Sequence, residues 1–437
     1  LATQEFQYIE DILKEWYAPA IVNQVYVKSP VWSQIKKTSK GVGGKRVYIP
    51  LRHTLSEAVG GLVANEYTLP TASRVQYDST YVYQKRNYGR VQVDGLAIEA
   101  SKGRGGFVEA FSNETKSIAE AFAMEIDQQV MGRGTAILGV ATGASSTGVI
   151  GVDDPHGITE LTPGYMWFRV GMKLQIWDIS ASGAMTGTND VPDVGVITPG
   201  SNTITFHQSG SATDTTTAVA DGDFLVRYHS GTFDSSDNCT VDAQATGNGV
   251  IMGIDRIIDD DQTDYPGDDI DGFQGIDGNS SSNNWWRAQV RTSRGILTET
   301  KIQEDLDAIE QNTDGAAPNL ALTTYALRNK LIEIVRSDRM ISNLKLVGGW
   351  EAIKYRGGSV TLPIMVHKFC PTGYIYYLNL KHLKFYTLKK LVWDNRGGGI
   401  IKPVADEDQY EAWFKMYGNL GTDKRNALGK ATGYTVS

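Results

Sequence analysis

The side chains able to do chemistry are few and poorly spaced for it. Six histidines, His53, His156, His207, His229, His367 and His382, stand far apart, and none forms the HExxH pair that brings two imidazoles to one helix face around zinc. They read as surface or structural residues. Cys239 and Cys370 are the only cysteines, too few for a disulfide framework and without zinc-ligand spacing, so both read as buried free thiols and redox chemistry is not expected. Gly41-Val42-Gly43-Gly44-Lys45 superficially suggests a phosphate loop, but the first glycine of GxxxxGK is missing and neither Ser nor Thr follows the lysine. A flexible hinge is the better reading. Gly103-Arg104-Gly105-Gly106 precedes a helix without the buried parallel strand that a dinucleotide site requires, and a GxSxG elbow is absent. The acidic run Asp255 to Asp277, with Asp259, Asp260, Asp261, Asp264, Asp268, Asp269 and Asp271, offers the oxygen ligands that calcium takes. Only Asp269-Ile270-Asp271-Gly272 matches a fragment of an EF-hand, and the closing glutamate is missing. An exposed acidic loop is expected, with an adventitious or interface cation as the sharper alternative. No catalytic constellation emerges, so neither an enzyme, a cofactor nor a metal is expected.

The elements suggest a scaffold instead. Arg46 to Arg52 and Arg74 to Tyr83 alternate apolar or aromatic with polar residues, the period of strands with one covered face. They predict an antiparallel ribbon, with Gly60-Gly61 near its tip. An isolated two-stranded ribbon is marginal in water, so its Val47, Ile49, Leu51 and Val75, Tyr77 rows need cover from outside it, most naturally from a neighbouring subunit. From Gly106 to Met131, Phe107, Phe111, Ile118, Phe122, Ile126 and Val130 write an apolar stripe along one long helix. Before the ribbon, Phe6 to Val27 reads as a helix with Trp16 among its aromatics, interrupted by Pro19.

Gly132, Gly134, Gly139, Gly143 and Gly148 predict a loose crossing into a new domain. From about 161 to 230 the texture is all-β, with strands around Leu174 and Ile176, Ile204 and Phe206, Phe224 and Val226, and a Pro199-Gly200-Ser201-Asn202 turn. This predicts an inserted β-barrel or β-sandwich. Helices follow at Thr300 to Asn312, where Thr300 and Gln303 have capping-box spacing, and after Thr323 or Thr324. Leu320-Ala321-Leu322 and Val360 to Val366 read as strands, which makes this part α+β.

At 437 residues, with 41% apolar and 21% charged content, the chain predicts two or three domains with a substantial core. It has neither the roughly 18 uncharged apolar residues of a membrane helix nor a secretion signal, so a soluble cytosolic assembly is expected. A net charge of −8 argues against a dedicated nucleic-acid binder. Arg46, Arg52, Arg74, Lys85, Arg86, Arg90, Lys102 and Arg104 gather near the ribbon while the aspartates crowd one later stretch. Such opposite patches suggest complementary contacts between copies.

Taken in order, these elements resemble the major capsid protein of tailed bacteriophages, the Hong Kong 97-like family. The C-terminal third carries the nearest textural likeness. Trp285-Trp286-Arg287, Leu320-Ala321-Leu322-Thr323-Thr324 and Lys354-Tyr355-Arg356-Gly357 look like that family's central domain, and Pro371 to Asn379, Leu383-Lys384-Phe385, Trp393-Asp394 and Tyr417-Gly418-Asn419-Leu420 like its closing strands. The resemblance spans nearly the whole chain except about 161–230, and rests on order rather than on any invariant motif. It implies an α+β Hong Kong 97-like capsid fold. The N-terminal arm would be 1–40, the extended β-hairpin loop 41–85, the peripheral domain with its spine helix 86–133 and 378–437, and the axial domain 134–160 and 231–377.

The function implied is a major capsid protein that forms hexamers and pentamers of an icosahedral head around double-stranded DNA, touched non-specifically. Scaffolding, portal and decoration proteins are the further partners implied, with no membrane, in a virion assembled in the bacterial cytoplasm. Candidate inter-subunit contacts are Trp16, Arg46, Val47, Ile49, Leu51, Arg52, Arg74, Val75, Tyr77 and Arg86. Two other classes stay open: a secreted surface-layer or adhesin subunit, suggested by the Thr/Ser/Asp/Gly-rich β region, and a polysaccharide-active enzyme with paired carboxylates.

Overall fold

Three sheets and one long helix carry the chain. The computed structural model describes residues 30–62, 68–95, 106–143, 148–156, 163–179, 183–184, 192–207, 219–228, 249–262, 265, 272–313, 315–338, 343–345, 351–357, 360–396, 399–405 and 407–436. The helix expected over Phe6 to Val27, with Trp16, and the glycines at Gly103 and Gly105 lie outside these residues, as do Lys102, Arg104, His229 and Cys239.

The helix Gly106–Met131 has the bounds its periodicity predicts. Phe122, Ile126 and Val130 are buried and Ile118 is half-buried on one face, while the side chains of Phe107 and Phe111 are outside the described set. That face lies on the first sheet, whose strands run Lys36–Thr38, Leu383–Trp393, Gln409–Thr422 and Lys402–Pro403, with Lys85–Asp94 paired along the other edge of Gln409–Thr422. Phe122 meets Phe414 edge to face at 4.9 Å. The closeness requires Gly89, because a Cβ there would stand 2.2 Å from the Phe414 ring.

The second sheet has seven strands in the order Gly183–Ala184, Leu174–Asp178, Phe224–Arg227, Ile137–Thr142, Val149–Asp153, Thr203–His207 and Asp193–Thr198. Its last strand returns to the start of Leu174–Asp178: Val194 N donates to Met172 O at 2.9 Å and Gly171 N to Val194 O at 2.8 Å. The strands therefore curl into a small barrel. Its extent differs from the expectation. Ile137–Thr142 and Val149–Asp153 are central members, so the barrel begins six residues after the long helix and the boundary expected near 161 falls inside it. The glycines misled because one of them, Gly139, serves close packing rather than looseness, as does Gly151 on the neighbouring strand. A Cβ on Gly139 would lie 2.7 Å from the Asp153 carbonyl oxygen, and one on Gly151 would lie 2.2 Å from the Thr142 hydroxyl. Nor is the core separate, since Leu174, Ile204 and Phe206 belong to the same buried cluster as Phe122 and Ile126.

The third sheet runs Gln289–Arg291, Gly429–Ala431, Ile375–Leu378, Leu320–Thr323, Val360–Val366, Glu351–Gly357 and Asn343–Lys345. Leu320–Thr323 is parallel to Val360–Val366, with the helix Tyr325–Asp338 in the crossover between them. The strand is buried on both faces. Leu320 and Leu322 face the main core, and Ala321 faces a second one built with Ile302, Leu306, Ile309, Leu327 and Leu331. The helix Glu299–Asn312 is capped by Thr298, whose hydroxyl accepts from Lys301 N at 3.4 Å, two residues earlier in the chain than the Thr300 and Gln303 box expected. Gln303 reaches forward to Asp307 instead.

The long helix ends against backbone. Gly253 packs so tightly that a Cβ there would lie 1.6 Å from the carbonyl oxygen of Gly132. Gly253→Ala is therefore expected to cost about 3 kcal/mol or more, while Gly43→Ala, which meets nothing within 4 Å, should leave the melt unchanged. Thermal denaturation of both variants checks this.

Candidate functional site

The ribbon forms as predicted, from Arg46–Arg52 and Tyr77–Tyr83 in antiparallel register, Arg46 opposite Tyr83 and Arg52 opposite Tyr77. Arg74 to Gln76 precede the second strand rather than extending it. The register places Val47, Ile49, Leu51, Thr80 and Val82 on one face, and Arg46, Tyr48, Pro50, Arg52, Tyr77, Ser79, Tyr81 and Tyr83 on the other.

The expectation that a neighbour covers the apolar row is corrected by the packing. Val47 and Val82 are buried against Tyr386, Leu51 joins the main core, and Ile49 is half-buried, all within one chain. A Cβ on Gly421 would lie 2.6 Å from Val82, so the fit is close. Polar contacts fasten the same region. The Thr80 hydroxyl donates to Gln274 O at 2.8 Å, Tyr81 N donates to it at 3.2 Å, and Gln274 Oε1 accepts from Thr422 N at 3.0 Å. His53, just beyond the ribbon, stacks on the half-buried Trp285 at 4.7 Å, while Trp286 is core.

Beyond this anchor the described residues of the arm, 54–62 and 68–76, are mostly exposed. Its two legs hold each other through Gln76 N to Thr54 Oγ1 at 2.8 Å and Glu57 N to Ser73 Oγ at 2.6 Å. Leu55, Val59, Leu62 and Leu69 are exposed on it, as is Tyr77 on the ribbon. Of the sequence candidates, Arg52, Arg74, Tyr77 and Arg86 are exposed, Arg46 and Val75 are half-buried, Val47 and Leu51 are internal, and Trp16 lies outside the described residues. Tyr48, on the face opposite Val47, is exposed and was missed, while Tyr81 and Tyr83 on that face are half-buried, the Tyr81 ring lying so close to Gly275 that a Cβ there would stand 2.2 Å from it.

The acidic stretch is the second correction. Asp255, Asp259 and Asp261 are buried, and each meets cations of its own chain. Arg133, two residues beyond the long helix, pairs with Asp255 and reaches Asp259 at 2.6 Å. Lys430 lies 3.4 Å from Asp255 and 3.7 Å from Asp259. Arg425 grips both oxygens of Asp261 at 2.6 and 2.8 Å, and Arg256 reaches it at 2.8 Å. The Tyr376 hydroxyl donates to Asp255 at 2.8 Å, and Arg133 lies over the Tyr265 ring at 3.6 Å. Burial alone would raise the Asp255 carboxyl, but Lys430 and Arg133 beside it hold it well below the usual carboxylate range. Asp264, Asp268, Asp269 and Asp271 lie outside the described residues. Among the described residues, no set of His, Cys, Asp and Glu is disposed to hold a metal, and no helix is long and apolar enough to cross a membrane.

His156 sits inside this cluster. Its ring is buried between Asp154, 3.9 Å from Nδ1, and Asp255, 4.0 Å from Nε2, distances too long for hydrogen bonds, with Trp167 and Tyr374 packed against it. Burial pushes the imidazole below its ordinary value, opposed by Asp255 and Asp154 and reinforced by Arg133 and Lys430. The unfolded chain therefore takes up this proton at ~6.5 while the native chain resists it, so stability is full above that pH and falls as pH drops through it. His156→Gln is expected to flatten the slope of chemical-denaturation stability between pH 7 and 5. Asp261→Ala, which strands two buried guanidinium groups, should cost about 3–5 kcal/mol in the same assay.

No family model matches the chain, and no curated protein does. Among solved structures the chain is similar to the capsid asymmetric unit of cyanophage A-1(L), at 11% identity and a TM-score of 0.46, over 94% of this chain and 93% of that one. The capsid of Myoviridae phage XM1 aligns at 9% identity and a TM-score of 0.43, over 92% and 91%. A chain from Mycobacterium phage Patience aligns at 8% identity and a TM-score of 0.42, over 98% and 89%.

Proposed function

We propose that the chain is the major capsid protein of a tailed bacteriophage, with a Hong Kong 97-like fold, assembling through hexamers and pentamers into an icosahedral head around double-stranded DNA. The arm carries this reading. Leu55, Val59, Leu62, Leu69 and Tyr77 are between 48% and 82% exposed, on a two-legged extension too narrow to bury them itself. Apolar area of this kind gains cover only by lying on another molecule. A chain that invests its main cores elsewhere and leaves such an arm outside is built for repetition, and its stability becomes inseparable from its assembly. Each contact can be weak, because closure of a ring or shell makes later contacts intramolecular.

In this reading the ribbon and arm are the extended loop. The long helix and the first sheet form the peripheral domain, and the third sheet with its two helices forms the axial domain. The barrel decorates the shell or braces a neighbour. Scaffolding, portal and decoration proteins would be its partners in a virion assembled in the bacterial cytoplasm. DNA contact at the inner wall would be sequence-independent and salt-dependent.

Leu69→Asp and Tyr77→Asp touch only exposed positions, so both are expected to give soluble subunits with the parent's circular dichroism and melting temperature but no closed shells. Negative-stain electron microscopy of the full-length protein, alone and with a scaffolding protein, is the readout. Normal shells from both variants would remove the arm from the mechanism.

A further inference from the structure

We propose that His156 is a proton-operated latch at the junction of the barrel with the third sheet: neutral, it seats in the buried charge cluster, and on taking up a proton it lifts out and lets water into that cluster. This goes beyond the capsid reading and does not depend on it. His156 stands just past the barrel strand Val149–Asp153, and its ring bridges two parts of the molecule. Trp167, on the barrel side, lies 5.7 Å from it, and Tyr374, which leads into the third-sheet strand Ile375–Leu378, lies 6.4 Å away.

The ring is seated without being held. It is fully buried, yet among the described residues neither nitrogen has a hydrogen-bond partner. Whichever nitrogen carries the proton, a buried N–H is left without an acceptor, a loss that water makes good once the ring is exposed. The other buried histidine is different. His367 Nδ1 accepts from Phe369 N at 3.2 Å, and Nε2 lies 3.0 Å from Asp127.

Four charged groups face the ring: Asp154 from its own turn, Asp255 from the helix Ile254–Ile257, Arg133 from the end of the long helix and Lys430 from the strand Gly429–Ala431. They balance while the ring is neutral. Tyr374 adds no charge, because burial pushes its phenol far above the ordinary value. Both carboxylates are already engaged. Asp255 meets Arg133, Lys430 at 3.4 Å and the Tyr376 hydroxyl at 2.8 Å, and Asp154 accepts from His156 N at 3.0 Å. A proton added to the seated ring is therefore an unmatched buried charge.

Burial, helped by Arg133 and Lys430 and opposed by Asp255 and Asp154, holds the imidazole below its ordinary value. In water the ring takes up its proton at ~6.5, so lifting out becomes easier as pH falls below that, by up to about tenfold per pH unit while the seated ring stays neutral. The turn lies beyond the last strand residue, so it lifts without unpairing the barrel. The pairs of Asp255 with Arg133 and Lys430 are then wetted, and the junction that they fix loosens.

The test follows backbone hydrogen exchange of the full-length protein by mass spectrometry from pH 7.5 to 5.5, corrected for the intrinsic pH dependence of exchange. Peptides covering 150–156 and 251–258 are expected to lose protection by up to about tenfold per unit below pH 6.5, while those from Leu383–Trp393 keep theirs. His156→Gln and His156→Phe should each abolish this pH dependence, and His367→Gln should leave it in place. Protection at the junction that does not change with pH in the parent would overturn the proposal. So would an equal loss across the first sheet, which is global unfolding, or the parent's pH dependence persisting in either His156 variant. The parent's own profile decides the matter even where a variant fails to fold, and it reads the subunit whether or not shells form.

Discussion

Seven residues, Asp255 to Asp261, bring three buried carboxylates to the point where every large part of the molecule meets. Apart from Arg256, their cations come from elsewhere in the chain: Arg133 from the end of the long helix, Arg425 and Lys430 from the C-terminal segment, with the Tyr376 hydroxyl added from the third sheet. Taking such charges out of water costs several kcal/mol per ion, so an aspartate left behind by a sliding helix or strand is penalised at once. The cluster therefore acts on geometry more than on net stability. It admits one placement of helix, barrel and third sheet, and the glycine contact between Gly253 and Gly132 closes the same junction by sterics.

That fixed body explains how a projecting ribbon holds its direction. Gln274 follows the aspartate segment and binds both the ribbon at Thr80 and the first sheet at Thr422. Trp285 and Trp286, a few residues on, provide the His53 stack and a buried plug beside Phe273. The segment thus serves the charge cluster at one end and the root of the arm at the other. The tip of the arm beyond it is left to find its own cover.

Much of this was legible from periodicity. The Gly106–Met131 helix, the ribbon strands and the Leu320–Thr323 strand follow from local spacing of apolar residues, which depends on nothing distant. The failures share one cause. Whether Asp255 is solvated or buried depends on Arg133 and Lys430, 122 and 175 residues away, and no local pattern announces them. Val47 looks the same whether Tyr386 or a neighbour covers it. Glycines have the same ambiguity, because Gly139 in a packed strand and Gly143 in a left-handed turn are one letter. Of the candidate site, the arm's existence was readable and the choice of its outward face was not.

The chain passes from the ribbon strand Tyr77–Tyr83 to the strand Lys85–Asp94 through Gln84 alone. Every residue from Lys85 to Asp94 is in register with Gln409–Thr422, the strand that lies against the long helix. A tug on the arm along this direction would load those hydrogen bonds sideways and all together, rather than opening them one after another from an end. The arm is thus rooted like a tendon, able to pass tension from whatever holds its tip into the stiffest part of the body without unzipping on the way.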